Sequence, residues 1–300
     1  MQHRPYATVM VPLDGSPLAD RALPVAAELA ARGHTGVVLV GVANHGEDPA
    51  ELRAGLERRA GDLQRRGPAV LTVEVEVRAP GTHHPDLHHA AVVDELVGVV
   101  RRLPDALVCA STRGRGAITR ALLGSVADGL VRRAAVPVLL VGPSARPEWE
   151  VGAEPIVLIG VDGSSAGPAA TAAGGRLARV LGGRVLVAQV LEPMIPLAPG
   201  VRTEEGSPAV AEAVAALRRA GLAAEGVVVE DADAAGALLR LGAQRTVAAT
   251  AVATHGRGGL ARLALGSVAD RVVRHATHPV LVVRPAAVET GDSTTRGEGD

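Results

Sequence analysis

Along the chain, short blocks of consecutive apolar residues alternate with longer stretches in which Ala and Leu recur every three or four positions among polar residues. The first unit, YATVMVPLDGSPLADRALPVAAELAARG from Tyr6, is an apolar run, an Asp-Gly-Ser turn, an amphipathic stretch and a closing glycine. That order predicts a strand, a tight turn and a helix stopped by glycine. PIVLIGVDGSSAGPAATAAGGRLARVLGG, from Pro155, repeats it. Second strands are predicted at 36–42 and 184–190, third strands at 71–77 and 225–231, and fourth strands at 105–110 and 246–253. Fifth strands follow at 137–141 and 279–283. Continuous apolar runs suit strands covered on both faces. Strands alternating with helices predict an α/β fold with parallel sheets and right-handed crossovers.

The repetition is explicit in one segment. LLGSVADGLVRRAAVPVLLV (122–141) and ALGSVADRVVRHATHPVLVV (264–283) agree at thirteen of twenty positions. Each half is therefore expected to be one complete five-stranded parallel-sheet domain, the first over 1–142 and the second over 155–285. The intervening 143–154, rich in Pro, Gly and charge, reads as a linker, with Trp149 as a packing staple between the halves. The tail 286–300 has the composition of a disordered segment.

Composition narrows the functions. Hydrophobic residues make up 47% of the chain but aromatic residues only 1%, so the core must be Val, Leu, Ala and Ile. The 31 basic residues balance 32 acidic ones, which provides no basic field for nucleic acid, and there are almost no rings on which bases could stack. Every basic residue is Arg. Without lysine there is neither a Gly-Lys-Ser/Thr phosphate loop nor Schiff-base chemistry. Cys109 is the single cysteine and sits in an apolar strand, as a packing residue would. No apolar stretch approaches a membrane span and the N-terminus is not a signal peptide, so the expected location is cytoplasmic.

Candidate chemistry gathers at two places in each half. After the fourth strand stand Ser111-Thr112-Arg113-Gly114-Arg115-Gly116 and Ala253-Thr254-His255-Gly256-Arg257-Gly258. Nine residues separate Gly114 from Gly124-Ser125, and nine separate Gly256 from Gly266-Ser267. A glycine-rich loop lets backbone N–H groups close on phosphate oxygens, and a helix opening at Gly-Ser offers free amides and the positive end of its dipole. After the first strand, Asp14 and Asp162 would lie on the same carboxyl edge of their sheets, where ligands of open α/β folds bind and where a carboxylate can accept from ribose or adenine. The plainer reading is that Asp-Gly-Ser caps a helix and the glycines turn the chain.

These residues resemble the universal stress protein family in its tandem form, over 5–142 and 154–285. The family's ATP-binding pattern, Gly-x2-Gly-x9-Gly-Ser/Thr, matches at Gly114, Gly124 and Ser125 and again at Gly256, Gly266 and Ser267. Its first glycine is replaced by Ser111 and Ala253. The resemblance implies a Rossmann-like, adenine-nucleotide-binding type of domain with ATP, carried with Mg2+, as ligand. It implies contacts from Asp14 and Asp162, from Val42 and Val190 to adenine, and from Val126 and Val268 after the Gly-Ser. Arg113 and His255 occupy equivalent loop positions where either could touch phosphate, beside Gly116 and Gly258. The resemblance also implies a stress-response regulator rather than an enzyme, with an unidentified protein partner. The alternative is a scaffold of the same fold that binds no nucleotide. A slow ATP hydrolase ranks behind both, because no nucleophile sits beside a base and no paired carboxylates would hold a metal.

Two further features bear on assembly and metals. THHPDLHH (82–89) holds four of the ten histidines, His83, His84, His88 and His89; it reads as a solvated helix start rather than a metal site. The fifth strands are apolar edges that need covering. Single-domain relatives commonly dimerise through this strand, and a tandem chain can instead pair its own two. Residues 137–141 are therefore expected antiparallel beside 279–283 in a pseudo-dimer, which could itself form a further homodimer.

Overall fold

The computed structural model describes residues 5–43, 46–66, 73–78, 88–112, 123–192, 200–203, 207–254 and 265–285. Its first half contains β1 (Thr8–Pro12), α1 (Leu23–Gly33), β2 (Gly36–Val42), α2 (Pro49–Arg66), β3 (Val73–Arg78), α3 (His88–Val100), β4 (Ala106–Ser111), α4 (Ser125–Arg133) and β5 (Val138–Val141). Its second contains β6 (Ile156–Val161), α5 (Gly167–Leu181), β7 (Arg184–Leu191), β8 (Gly200–Thr203), α6 (Pro208–Arg219), β9 (Ala224–Glu230), α7 (Ala234–Gln244), β10 (Ala249–Ala253), α8 (Ser267–His275) and β11 (Val280–Val283). The five strands expected of each half are present. The addition is β8, a short strand antiparallel to β9 at the sheet's far edge.

All eleven strands form one sheet, in the order β3-β2-β1-β4-β5-β11-β10-β6-β7-β9-β8. Within each half the five shared strands are parallel, and β1 and β6 are the strands from which the chain winds outward in both directions. The halves join where β5 runs antiparallel to β11, with Val138 opposite Val282, Leu139 opposite Leu281 and Leu140 opposite Val280. The repeat equates Leu139 with Leu281, so the pseudo-two-fold axis passes through that pair.

Strand alternation sorts the core into two layers. Val9, Val11, Leu39, Leu107, Leu139, Ile159 and Leu281 pack with α1, α2, α5 and α6, whereas Met10, Val38, Val108, Leu140, Leu158 and Val280 pack with α3, α4, α7 and α8. Each layer runs without a break through both halves. Cys109 is fully buried in the first layer, and desolvation pushes its thiol up to about 12, so it stays protonated and packs as an apolar side chain. Among the described residues no helix is long and apolar enough to cross a membrane.

The single tyrosine ties the halves together, and the single tryptophan anchors the linker to the second half. Tyr6 Oη donates to Ala173 O at 3.2 Å, beneath the Arg176 guanidinium 4.2 Å from the ring centroid. Trp149 Nε1 donates to Ala248 O at 2.8 Å, which fastens the linker to the second half. Arg32 reaches Leu181 O at 3.1 Å and Val151 O at 2.8 Å, while Arg21 reaches Ala145 O at 2.5 Å.

Candidate functional site

Parallel pairing of β1 with β4, and of β6 with β10, fixes the site's location. Thr8 lies opposite Ala106 and Met10 opposite Val108, so Asp14 and Ser111 emerge at one carboxyl edge. Val157 lies opposite Ala249 and Ile159 opposite Ala251, which does the same for Asp162 and Ala253. Each edge sits where the winding reverses, the position of the ligand crevice in open α/β sheets.

The Asp-Gly-Ser segments share one turn. Gly15 and Gly163 take φ of 78° and 77°, a left-handed turn that a side chain would strain. Ser16 N donates to Asp14 Oδ1 at 2.9 Å and Ser164 N to Asp162 Oδ1 at 3.0 Å. Ser16 Oγ then accepts from Ala19 N at 3.2 Å, and Ser164 Oγ from Ala166 N at 3.3 Å. Ser16 and Ser164 thus brace their own turns, while α1 and α5 carry no side-chain cap, and the same turn holds a carboxylate at the edge. In the first half Arg59, from α2, braces it: its guanidinium donates to Gly15 O at 3.1 Å and to Asp20 at 2.6 and 2.9 Å. The Asp20 hydrogen bond, opposed by partial burial and aided by the charges of Asp20 and Asp14, raises the Arg59 pKa.

The fourth-strand loops are closed at their bases in the same way. Thr112 N donates to Val141 O at 3.1 Å and Thr254 N to Val283 O at 2.9 Å, while Gly124 N and Gly266 N donate back to Thr112 O and Thr254 O, each at 2.6 Å. Both threonines are 1% exposed. The eleven residues between Thr112 and Gly124, and the eleven between Thr254 and Gly266, are thus spanned by one hydrogen bond each. Arg113, Gly114 and Gly116, with His255, Gly256 and Gly258, lie outside the described residues.

Gly124 and Gly266 are the N-caps of α4 and α8, extended at φ −61° and −67°. Having no side chain, they leave the first-turn amides without a side-chain cap among the described residues. By contrast, Ser207 Oγ caps α6 through Val210 N at 3.2 Å, and Asp233 Oδ1 caps α7 through Gly236 N at 3.0 Å. Ser125 and Ser267 follow the caps as exposed residues, then half-buried Val126 and Val268. The first-turn carboxylates Asp128 and Asp270 are paired with Arg132 and Arg274 one turn on, at 2.8 and 2.7 Å. That pairing limits their opposition to an incoming anion.

Val42 ends β2 at 8% exposure and Val190 lies near the end of β7, each one strand outward from the site's first strand. The structure therefore brings Asp14, Val42, Ser111, Gly124, Ser125 and Val126 to one edge, and Asp162, Val190, Ala253, Gly266, Ser267 and Val268 to the other. Pattern reading missed Arg59 and His89. His89, exposed in the first turn of α3, has Nδ1 3.0 Å from Ser125 Oγ. His83 and His84 lie outside the described residues, among which no group of three metal-ligating side chains occurs.

This arrangement defines a duplicated, doubly wound α/β protein with the same carboxyl-edge arrangement in each half. The model of the universal stress protein family matches residues 5–142 and 155–284. A universal stress protein of Mycolicibacterium smegmatis is 34% identical over 198 residues, 62% of this chain and 66% of its own. One from Mycobacterium tuberculosis is 34% identical over 216 residues, 68% of this chain and 69% of its own. The match thus spans about two thirds of these relatives' length. The crystal structure of a universal stress protein from Archaeoglobus fulgidus shares the fold, with a TM-score of 0.65 at 17% identity over 93% of this chain and 99% of that one. The chain belongs to the universal stress protein family.

Proposed function

We propose that the protein is a cytoplasmic stress-response regulator that binds an adenine nucleotide, ATP, at the carboxyl edge of each half and does not turn it over at an enzymatic rate. One observation carries this reading. In both halves a helix with no side-chain cap opens at Gly-Ser, pinned to the end of the fourth strand, on the edge that also holds the Asp turn. Open amides and a serine hydroxyl are donors and suit phosphate; a carboxylate is an acceptor and suits ribose hydroxyls or the adenine amine. Mg2+ would arrive with the triphosphate. The replacement of the motif's first glycine by Ser111 and Ala253 favours the second reading, a scaffold of this fold that works through a protein partner without nucleotide.

Calorimetry with Mg-ATP separates the two. Micromolar affinity, about −8 kcal/mol, is expected. Gly114→Glu and Gly256→Glu each add a carboxylate within the glycine pattern, which repels phosphate, so each should abolish its own site and leave the melting temperature near that of the parent. The same preparation should hydrolyse ATP more slowly than about one turnover per second, an ordinary enzyme's pace. Absence of heat and of any thermal shift at millimolar ATP would favour the scaffold.

A further inference from the structure

The two edges match in backbone but differ at the serine that opens the fourth-strand helix. On the first, His89 Nδ1 stands 3.0 Å from Ser125 Oγ, so the imidazole and the first residue of α4 share a proton. On the second, Ser267 has the same exposure and the same place after its glycine cap, but the helix packed beside it, α7, contains no histidine. The first turn of α7 is held instead by Asp233, whose Oδ1 accepts from Gly236 N at 3.0 Å and from Arg271 of α8 at 2.7 Å.

The hydroxyl has one hydrogen to give and two lone pairs with which to accept. If the imidazole carries its proton on Nδ1, it donates into Ser125 Oγ and leaves the hydroxyl hydrogen for a ligand. If Nδ1 is bare, the hydroxyl donates to the ring and has no hydrogen left for an anion. A phosphate at the open end of α4 favours the first arrangement, because it accepts the hydroxyl hydrogen and the helix dipole already draws negative charge there. On the two helices Arg133 pairs with Asp94 and Arg132 with Asp128.

We infer that His89 is a positioning residue of the first-half site, turning the Ser125 hydroxyl toward the phosphate of the nucleotide, and that the second half has no equivalent among its described residues. The inference rests on nucleotide binding at these edges. It makes the first site more selective for a phosphorylated ligand over the bare nucleoside.

The test uses the full chain carrying Gly256→Glu to silence the second site, titrated with ATP and with adenosine. His89→Ala should weaken ATP about five- to tenfold, the scale of one ordinary hydrogen bond, and leave adenosine within about twofold. His89→Asn, whose amide can donate from a similar position, should recover most of the loss. In a Ser125→Ala background His89→Ala should have no further effect on ATP. Equal weakening of ATP and adenosine, unchanged ATP affinity, or full additivity with Ser125→Ala would each overturn the role of His89. A Gly256→Glu parent that binds ATP, with His89→Ala indistinguishable from it, removes this inference alone; a wild-type chain that binds no nucleotide removes the function proposed above with it.

Discussion

Thr250 and His278 stand where the first half has Val108 and Val136. The equivalence is fixed by backbone: Val108 N donates to Pro137 O at 3.1 Å and Thr250 N to Pro279 O at 3.2 Å, with Val136 and His278 immediately before those prolines. An apolar pair in one half is thus a polar pair in the other, with His278 Nε2 2.7 Å from Thr250 Oγ1. Desolvation, helped by the Arg146 guanidinium, pushes the His278 pKa from 6.5 down to about 4. Above pH 6.5 the ring is neutral folded or unfolded. Between about 6.5 and 4 only the unfolded chain takes up the proton, so stability falls with the pH, by up to about 3 kcal/mol across the window. The double variant Thr250→Val/His278→Val restores the first-half pair and should flatten that part of the profile. Urea midpoints at pH 7.5 and 4.5 measure it, and an acid sensitivity as steep as the parent's would show that His278 is not its source.

At the scale of elements, strand ends and helix ends meet closely at the seam. Gly142, just past β5, lies against the carbonyl of Val273 in α8, and any Cβ there would fall inside that oxygen's contact shell. Nearby, Ser144 Oγ donates to Arg274 O at 2.7 Å, and Arg284 donates to Arg132 O on the symmetry-related helix. Gly142→Ala should cost about 1–3 kcal/mol by overpacking against backbone that cannot yield. Gly152→Ala, with open space around it, is the neutral control in the same denaturant titration. Most of the ten shared strands were legible as continuous apolar runs of the length a doubly covered strand needs, and β3, VEVEVR, as an alternating one. The β8 strand was not legible, since GVRT is four residues long and paired on one side only. The tenth strand starts at Ala249 rather than 246 because α7 extends to Gln244 and Thr246 turns at φ 49°. Within the site, glycines and carboxylates at recurring spacings were readable from the chain. His89 beside Ser125 and Arg59 beside Gly15 were not, because contacts across 36 and 44 residues depend on how helices dock and have no period.

For the whole molecule, the antiparallel β5–β11 pair and the two shared core layers make the halves one cooperative body. Val138 and Val280 are 1% and 0% exposed at that pairing. Val138→Asp or Val280→Asp buries a carboxylate with no partner, a penalty of several kcal/mol that falls chiefly on the junction. Calorimetry should resolve one unfolding transition in the parent and two in either variant. Trp149 fluorescence, reporting from its contact with Ala248, should shift to the red when the second half unfolds. A single transition with unmoved fluorescence would mean that the strand pairing does not hold the halves together.

The register of β5 on β11 carries one more consequence. Leu139 faces its own counterpart Leu281, so either strand could in principle pair with a second copy of itself as readily as with the other. In a homodimer built that way, every substitution near the axis is made twice and meets itself. Covalent linkage ends this obligation: each half always meets the other, and a change enters once. Thr250 and His278 opposite an unaltered Val108 and Val136, and a histidine beside Ser125 but none on α7, are differences that a symmetric dimer of identical chains could not hold. Tethering thus lets one edge be tuned while the other is left alone.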